Sequence, residues 1–471
     1  MLLTKDLEKN LQVLKKVLKV GETFDIIERI IDVHNTKFYM YYLDGFVKDT
    51  NLEYVRRDMY NLKADDFNTI HSAQDLIEKA LSSIETSTEN DLDEIVRSVL
   101  SGQTVLLGPN FDEAVILDFR TYPTRSIDEP PKEKALRGPH DGFVETIVFN
   151  TALIRRRIKD PSLVFKMHTI GSISKTDLAI GYLENKVKKE SLKKIEKLIS
   201  DLNIKSLTLG DQSFIEVVNS KSIINPFPKV RYTERPDVAS AQLIEGNIII
   251  IIDNTPSVLI FPSNIFDFIQ SVDDYYMPVL TGNYLKIVRN IVLLANVFLT
   301  PVYILLSDNP NWFGGALNFL FPQDPYVIPL FIQFIIAELA VDGLKLASLN
   351  TPDPLGSSLS IIGGLILGDF AVDTGWFTPH TILYSAITAL TTFVQPSIEF
   401  SYALKFLRMI TLLLTGLFGT FGFIAGIIIG LIIIASTKSI TGEPYLYPLI
   451  PFNWNALKHV LFRCRKQVDK K

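Results

Sequence analysis

The chain has 471 residues, a formal net charge of −5, 21% charged and 47% hydrophobic side chains, and a mean hydropathy of +0.21. So small a net charge excludes a global basic field for nucleic acid, and no nucleic-acid partner is expected. The single cysteine, Cys464, excludes an internal disulfide framework and a cysteine-rich metal site.

The averages conceal two halves, with dense charges from Met1 to about Tyr284 and few, isolated ones from Ile287 to Thr437. The opening MLLTKDLEKN is charged and begins a polar helix pattern, so a cytoplasmic N-terminal domain is expected. The first ~100 residues read mainly as helix, with apolar positions at helical intervals in LEKNLQVLKKVLKVG and again from Asn90 to Leu100. The aromatic-rich Lys37–Phe46 reads as a strand. Gln103–Leu107 and Ala114–Phe119 form a hairpin around Gly108-Pro109-Asn110. A proline-rich connector runs from Tyr122 to Pro139. Leu153–Ile158 reads as helix, Leu163–Ile170 and Leu178–Tyr182 as strands, and Glu190–Leu202 as an amphipathic helix. Asn247–Asp253 and Ser257–Phe261 flank Asn254-Thr255-Pro256 as a second hairpin.

Catalytic material is sparse. Gly171-Ser-Ile-Ser-Lys175-Thr176 lacks the second glycine and the strand–loop–helix setting of a phosphate loop. The six histidines show no paired metal spacing. Arg155-Arg156-Arg157 could bind an acidic partner, but a charge run on a helix usually reads as a solvated face. No enzyme activity, cofactor or metal is expected.

The second half carries candidate spans at Ile287–Leu306, Val327–Leu349, Leu359–Phe377, Thr381–Gln395 and Phe406–Ala435. Met409–Thr437 holds no charged side chain over about 29 positions, which demands a bilayer. Ser307–Asp324 has no Lys or Arg and fits the outside. Lys345, Lys405 and Arg408 read as markers of the opposite ends, and the tail from Lys458 to Lys466 is basic, which fits the inside. The long run is either two short helices hinged near Gly419–Gly422, or one tilted helix with a re-entrant element elsewhere.

Polar groups within the spans are the sharpest chemical signal. Glu338, Asp342 and Lys345 recur at i, i+4 and i+7 and share a helix face, and Asp369 and Asp373 repeat the i, i+4 spacing. A charge near the bilayer centre costs at least ~2.5 kcal/mol. Such residues line a cation pathway, lie near a membrane surface, or form internal ion pairs that hold helices together. Gly422, Gly426 and Gly430, and Gly364 with Gly368, are small residues four apart that let helices approach closely, within one subunit or between subunits.

Several ordered stretches resemble the GerA family, the A subunits of bacterial spore germination receptors. They include Leu100-Ser-Gly-Gln-Thr-Val105, Phe119-Arg-Thr-Tyr-Pro-Thr-Arg125, Arg137-Gly-Pro-His-Asp-Gly-Phe-Val-Glu145, Leu153-Ile-Arg-Arg-Arg-Ile-Lys159, Phe227-Pro-Lys-Val-Arg-Tyr-Thr-Glu-Arg-Pro-Asp-Val238, Asp253-Asn-Thr-Pro256 and Asp273-Asp-Tyr-Tyr276. The likeness runs from about Ile95 to the last span. In place of the arginine-containing stretch usual in receptor A subunits stands Ala337-Glu-Leu-Ala-Val-Asp-Gly-Leu-Lys345, and with Gly368–Phe377 this resembles a paralogous branch of the family. The resemblance implies a multi-pass protein of the spore inner membrane with its N-terminal domain on the core side. It further implies a homo-oligomeric assembly that releases monovalent cations during germination, working with other germination membrane subunits.

The expected architecture is an α/β soluble N-terminal domain of two subdomains plus a polytopic α-helical membrane domain. Its parts are residues 1–160, 161–283, the membrane helices at 284–437, and a basic tail at 438–471. The expected function is an oligomeric cation-conducting channel of the germination complex, or an accessory channel subunit. A secondary transporter of a small solute and a membrane-anchored scaffold are the alternatives. Replacing Glu338 or Asp342 by alanine is expected to weaken ion release while the protein stays in the membrane.

Overall fold

A computed structural model describes residues 1–81, 85–122, 136–219, 225–313, 318–322, 325–350 and 363–463, in two compact units. Residues 123–135 of the connector, Thr351–Gly356 and the tail from Cys464 onward lie outside the described residues.

The first unit, up to residue 219 together with Val230–Pro262, holds two five-stranded antiparallel sheets. In one, β1 (Ile26–Val33), β2 (Thr36–Leu43), β3 (Thr86–Glu89), β4 (Thr104–Leu107) and β5 (Ala114–Leu117) take the order β1-β2-β4-β5-β3. In the other, β6 (Leu163–Ile170), β7 (Thr176–Leu183), β8 (Arg231–Thr233), β9 (Ile248–Ile252) and β10 (Val258–Phe261) take the order β6-β7-β9-β10-β8. The same order twice, each opening with a paired hairpin of eight-residue strands, makes the unit a structural duplication.

Both sheet faces are covered in the first subdomain, which explains why β4 and β5 are apolar throughout instead of alternating. Val105 and Leu107 face helices α1 (Leu7–Leu18) and α4 (Leu92–Leu100). Leu106, Val115 and Leu117 face α2 (Asp49–Tyr60) and α3 (Ala73–Ala80). The reading of the first ~100 residues as mainly helical missed β1 and β3. Polar residues interrupt both, and the β1–β2 turn uses His34 and Asn35 at φ 50° and 64°, without a glycine to mark it.

Helix α5 (Ile147–Arg157) joins the two halves. Leu153 and Ile154 pack under the second sheet beside α7 (Pro236–Ile244), while Ala152 lies in the core of the first. The expected boundary at residue 160 therefore falls just after a helix that both subdomains share. The run Arg155–Arg157 is a solvated face only in part: Arg156 is exposed and Arg157 half-buried, while Arg155 is enclosed. Arg155 is 1% exposed and grips Asp25 through Nε (2.9 Å) and an amino group (3.1 Å), with a further bond to the Leu163 carbonyl. Arg157 pairs with Asp141, and Arg156 stacks over the Tyr122 ring. Backbone pairing of Phe24 with Phe165 continues the joint. Gly171–Lys175 is the β6–β7 hairpin turn, which leads into a strand instead of the helix a phosphate loop requires. After β7 the amphipathic helix α6 (Lys189–Ser200) follows as expected.

The second unit comprises residues 225–229 and the chain from Ser263. Phe227 is thus a strap from the N-terminal half, packed with Phe268, Phe400 and Tyr445, and Tyr445 Oη donates to the Pro228 carbonyl. The long helices are α8 (Val279–Asp308), α9 (Leu330–Leu349), α10 (Pro379–Phe393) and α11 (Ile398–Ser436), with a short α12 (Trp454–Leu461) beyond them. α8 and α11 are long and apolar enough to cross a membrane. The expected span Leu359–Phe377 is not one continuous α-helix where it is described. Ile366–Phe370 is wound as π-helix and leads into the short Ala371–Asp373 turn of α-helix.

Of the two arrangements open for the long apolar run, the structure has the hinge. Gly419 sits at φ 57°, ψ −133°, a backbone region that belongs essentially to glycine. There α11 doubles back into two antiparallel arms. A Cβ at Gly426 would lie 2.8 Å from Thr411 Cα, one at Gly422 would strike the Leu414 carbonyl, and one at Gly430 would strike the Leu407 side chain. The glycine ladder therefore packs one arm of the chain on the other. Beside Gly364 and Gly368 an added Cβ would meet nothing among the described residues.

Candidate functional site

The acidic face of α9 does not open into empty space. It meets the first arm of α11, whose Lys405 and Arg408 are three residues apart and so share a face of their own. Glu338 sits between them, Oε2 3.1 Å from Lys405 Nζ and Oε1 2.7 Å from an Arg408 amino group. Asp342 pairs with the same Lys405. Arg408, 1% exposed, donates from its other amino group to the side-chain oxygen (2.6 Å) and the carbonyl (2.7 Å) of Asn296 on α8. Three helices thus converge on two carboxylates and two cations whose charges cancel. Lys345, one turn further along α9, rests 4.6 Å from the Phe393 ring centroid of α10.

Cancellation is what makes the cluster tolerable. Removing one partner of a buried ion pair typically costs about 3–5 kcal/mol, because the other charge is stranded. Lys405 and Arg408, taken from the sequence as markers of helix ends, are instead absorbed in the bundle interior, so they do not report orientation. Asn296 was also missed. The available signal was the match between an acidic i, i+4 pair and a basic i, i+3 pair in otherwise apolar helices.

The second acidic pair is placed quite differently. Asp369 and Asp373 lie on the π-helical turn and the short helix after it, and both are exposed. Neither joins an ion pair among the described residues. The structure therefore separates the five candidate residues into a neutralised interior cluster (Glu338, Asp342, with Lys345 beside it) and an outward-facing pair.

The whole chain has relatives. The profile described as Bacillus/Clostridium GerA spore germination protein matches residues 12–471. The chain belongs to this GerA spore germination family. It is 36% identical to Stage V sporulation protein AF of Bacillus subtilis (strain 168), over 97% of this chain and 92% of that one. Against Spore germination protein KA of the same organism the identity is 29%, over 100% and 86%. Among solved structures, the N-terminal domain of the A subunit of the Bacillus megaterium spore germinant receptor GerK3 is similar. It has 24% identity and a TM-score of 0.43, and the match covers 55% of this chain and 96% of that one. The GerA chain described here is thus a germination-type membrane subunit with an α/β N-terminal unit and a helical C-terminal half.

Proposed function

We propose that this chain is a non-enzymatic membrane subunit of a spore germination complex, and that copies of it assemble around a pathway for monovalent cations. Its place would be the spore inner membrane, with the N-terminal unit on the core side and other germination membrane subunits as partners. The observation that carries the proposal is the contrast between the two acidic pairs. Glu338 and Asp342 are neutralised within the subunit, whereas Asp369 and Asp373 are exposed on an irregular helical turn of the same unit. An outward carboxylate in an apolar unit requires water or a neighbouring copy beside it. A pathway between subunits supplies both. π-Helical turns frequently occur at functional positions, where they redirect side chains. Cations reach Glu338 and Asp342 only when Lys405 and Arg408 withdraw, so that cluster acts as a latch between α9 and α11.

The test is cation flux from liposomes carrying the purified full chain, with and without co-purifying membrane partners. Neutralising the exposed pair as Asp369→Asn/Asp373→Asn should reduce flux at least about tenfold, the loss of two carboxylates from a conduction path. Undiminished flux in the double variant would remove these residues from the path. Absence of flux in every preparation, with function restored by the first unit on an unrelated membrane anchor, would establish a scaffold instead.

A further inference from the structure

Nine of the twelve buried side-chain polar atoms that lack a hydrogen-bond partner among the described residues lie in the membrane unit. They are not scattered evenly. Asn296 Nδ2, Thr300 Oγ1 and Tyr303 Oη come from one face of α8 at i, i+4 and i+7, on residues no more than 4% exposed. Arg408 Nε lies at the lower end of this face, where its guanidinium already holds Asn296. At the upper end the Tyr303 ring lies 4.4 Å from that of Tyr384, and the next residue, Ser385, carries another unpartnered hydroxyl.

Hydroxyls in helices ordinarily satisfy themselves on the carbonyl four residues back. Thr388, Thr411 and Thr415 do so, at 2.7, 2.9 and 2.7 Å. Thr300 does not. The carbonyl it would use, that of Asn296, accepts from Arg408 instead. The next residue, Pro301, has no N–H to give the Val297 carbonyl, so backbone polarity is freed at the same level. The unpartnered set mixes donors (Asn296 Nδ2, Arg408 Nε) with hydroxyls that both donate and accept. Only a ligand able to do both satisfies such a set, and water is the smallest that can.

We infer that the Asn296–Thr300–Tyr303 face of α8 binds a file of ordered water inside one subunit, ending on Arg408. The fixed positive charge at the floor of the file excludes cations from it while Glu338 holds Arg408. The file hydrates Arg408 from within the bundle, so the Glu338–Arg408 pair separates without passing through a dry interior. This hydration does not rest on the cation pathway proposed above, since a subunit that conducts nothing still needs these groups satisfied.

X-ray hydroxyl-radical labelling of the full chain in lipid nanodiscs tests it, because radicals are generated where water resides. Tyr303 should be oxidised at least about tenfold faster than Phe406, an aromatic 55% exposed on the apolar surface of the first α11 arm away from its hinge, since an internal water chain adjoins only the tyrosine. Equal rates would overturn the inference. Thr300→Val, which removes a central water partner at nearly constant volume, should slow labelling of Tyr303. An undiminished rate in that variant would also overturn it, because water would then reach Tyr303 by another route.

Discussion

Glu338 is held between Lys405 and Arg408 inside the bundle, so its carboxylate is the counter-charge of a buried guanidinium. Its position on a helix face suggested a group that meets permeating ions, and alanine there was expected to reduce ion release alone. With Arg408 1% exposed beside it, Glu338→Ala should instead lower stability by about 3–5 kcal/mol, because a guanidinium is stranded. The melting midpoint in nanodiscs measures this. Pairing Glu338→Ala with Arg408→Met should recover most of the loss, since the double variant buries no lone charge. Flux data on Glu338→Ala alone would mix conduction with unfolding, which is why Asp369 and Asp373 are the cleaner probes. The acidic members of the cluster were legible from their spacing. Their partners were not, because Lys405 and Arg408 are more than 60 positions away and look, in one dimension, like helix ends.

At the scale of elements, the doubled-back α11 depends on two kinds of glycine. Gly419 supplies a backbone conformation, and Gly422, Gly426 and Gly430 supply surface. Gly426→Leu should force the arms apart and destabilise by about 3 kcal/mol or more, at or beyond the upper end of ordinary overpacking, since the obstructing atoms include Thr411 backbone. Gly364→Ala and Gly368→Ala should leave the isolated subunit unchanged or more stable by up to about 1 kcal/mol, because nothing among the described residues opposes the added methyl and helix propensity improves. If the same two variants nonetheless lose assembly in cross-linking of the full complex, the Gly364–Gly368 face is where copies meet. The hinge was one of two possibilities in the sequence because a glycine-rich apolar run states flexibility without direction. The hairpins β4–β5 and β9–β10 were plain, because Gly-Pro-Asn and Asn-Thr-Pro punctuate uniformly apolar strands. β1, β3 and β8 were missed because polar residues or brevity mask their period.

Across the whole molecule, the N-terminal unit repeats one sheet plan and fastens the copies with a buried Arg155–Asp25 pair. Arg155→Ala should weaken that joint by about 3–5 kcal/mol while leaving each sheet formed. Hydrogen exchange on the full chain checks this: protection should fall at Thr23–Asp25 and the facing end of β6 and persist in β4 and β9. Uniform loss of protection would mean that the two sheets fold only as one unit. The duplication was present in the sequence as Tyr42-Leu43-Asp44 and Tyr182-Leu183-Glu184 at equivalent strand ends, each followed by a helix. It is too faint to notice until the matching strand orders align the two copies.

The converging charges also constrain how the protein is made. Glu338 and Asp342 leave the ribosome more than 60 residues ahead of Lys405 and Arg408. Until that basic arm arrives, α9 carries two carboxylates with only Lys345 on the same helix to offset them, each costing about 2.5–3.5 kcal/mol at a bilayer centre. If α9 crosses the bilayer, that cost offsets most of what its apolar side chains gain on insertion, so the later arrival of Lys405 and Arg408 favours its entry.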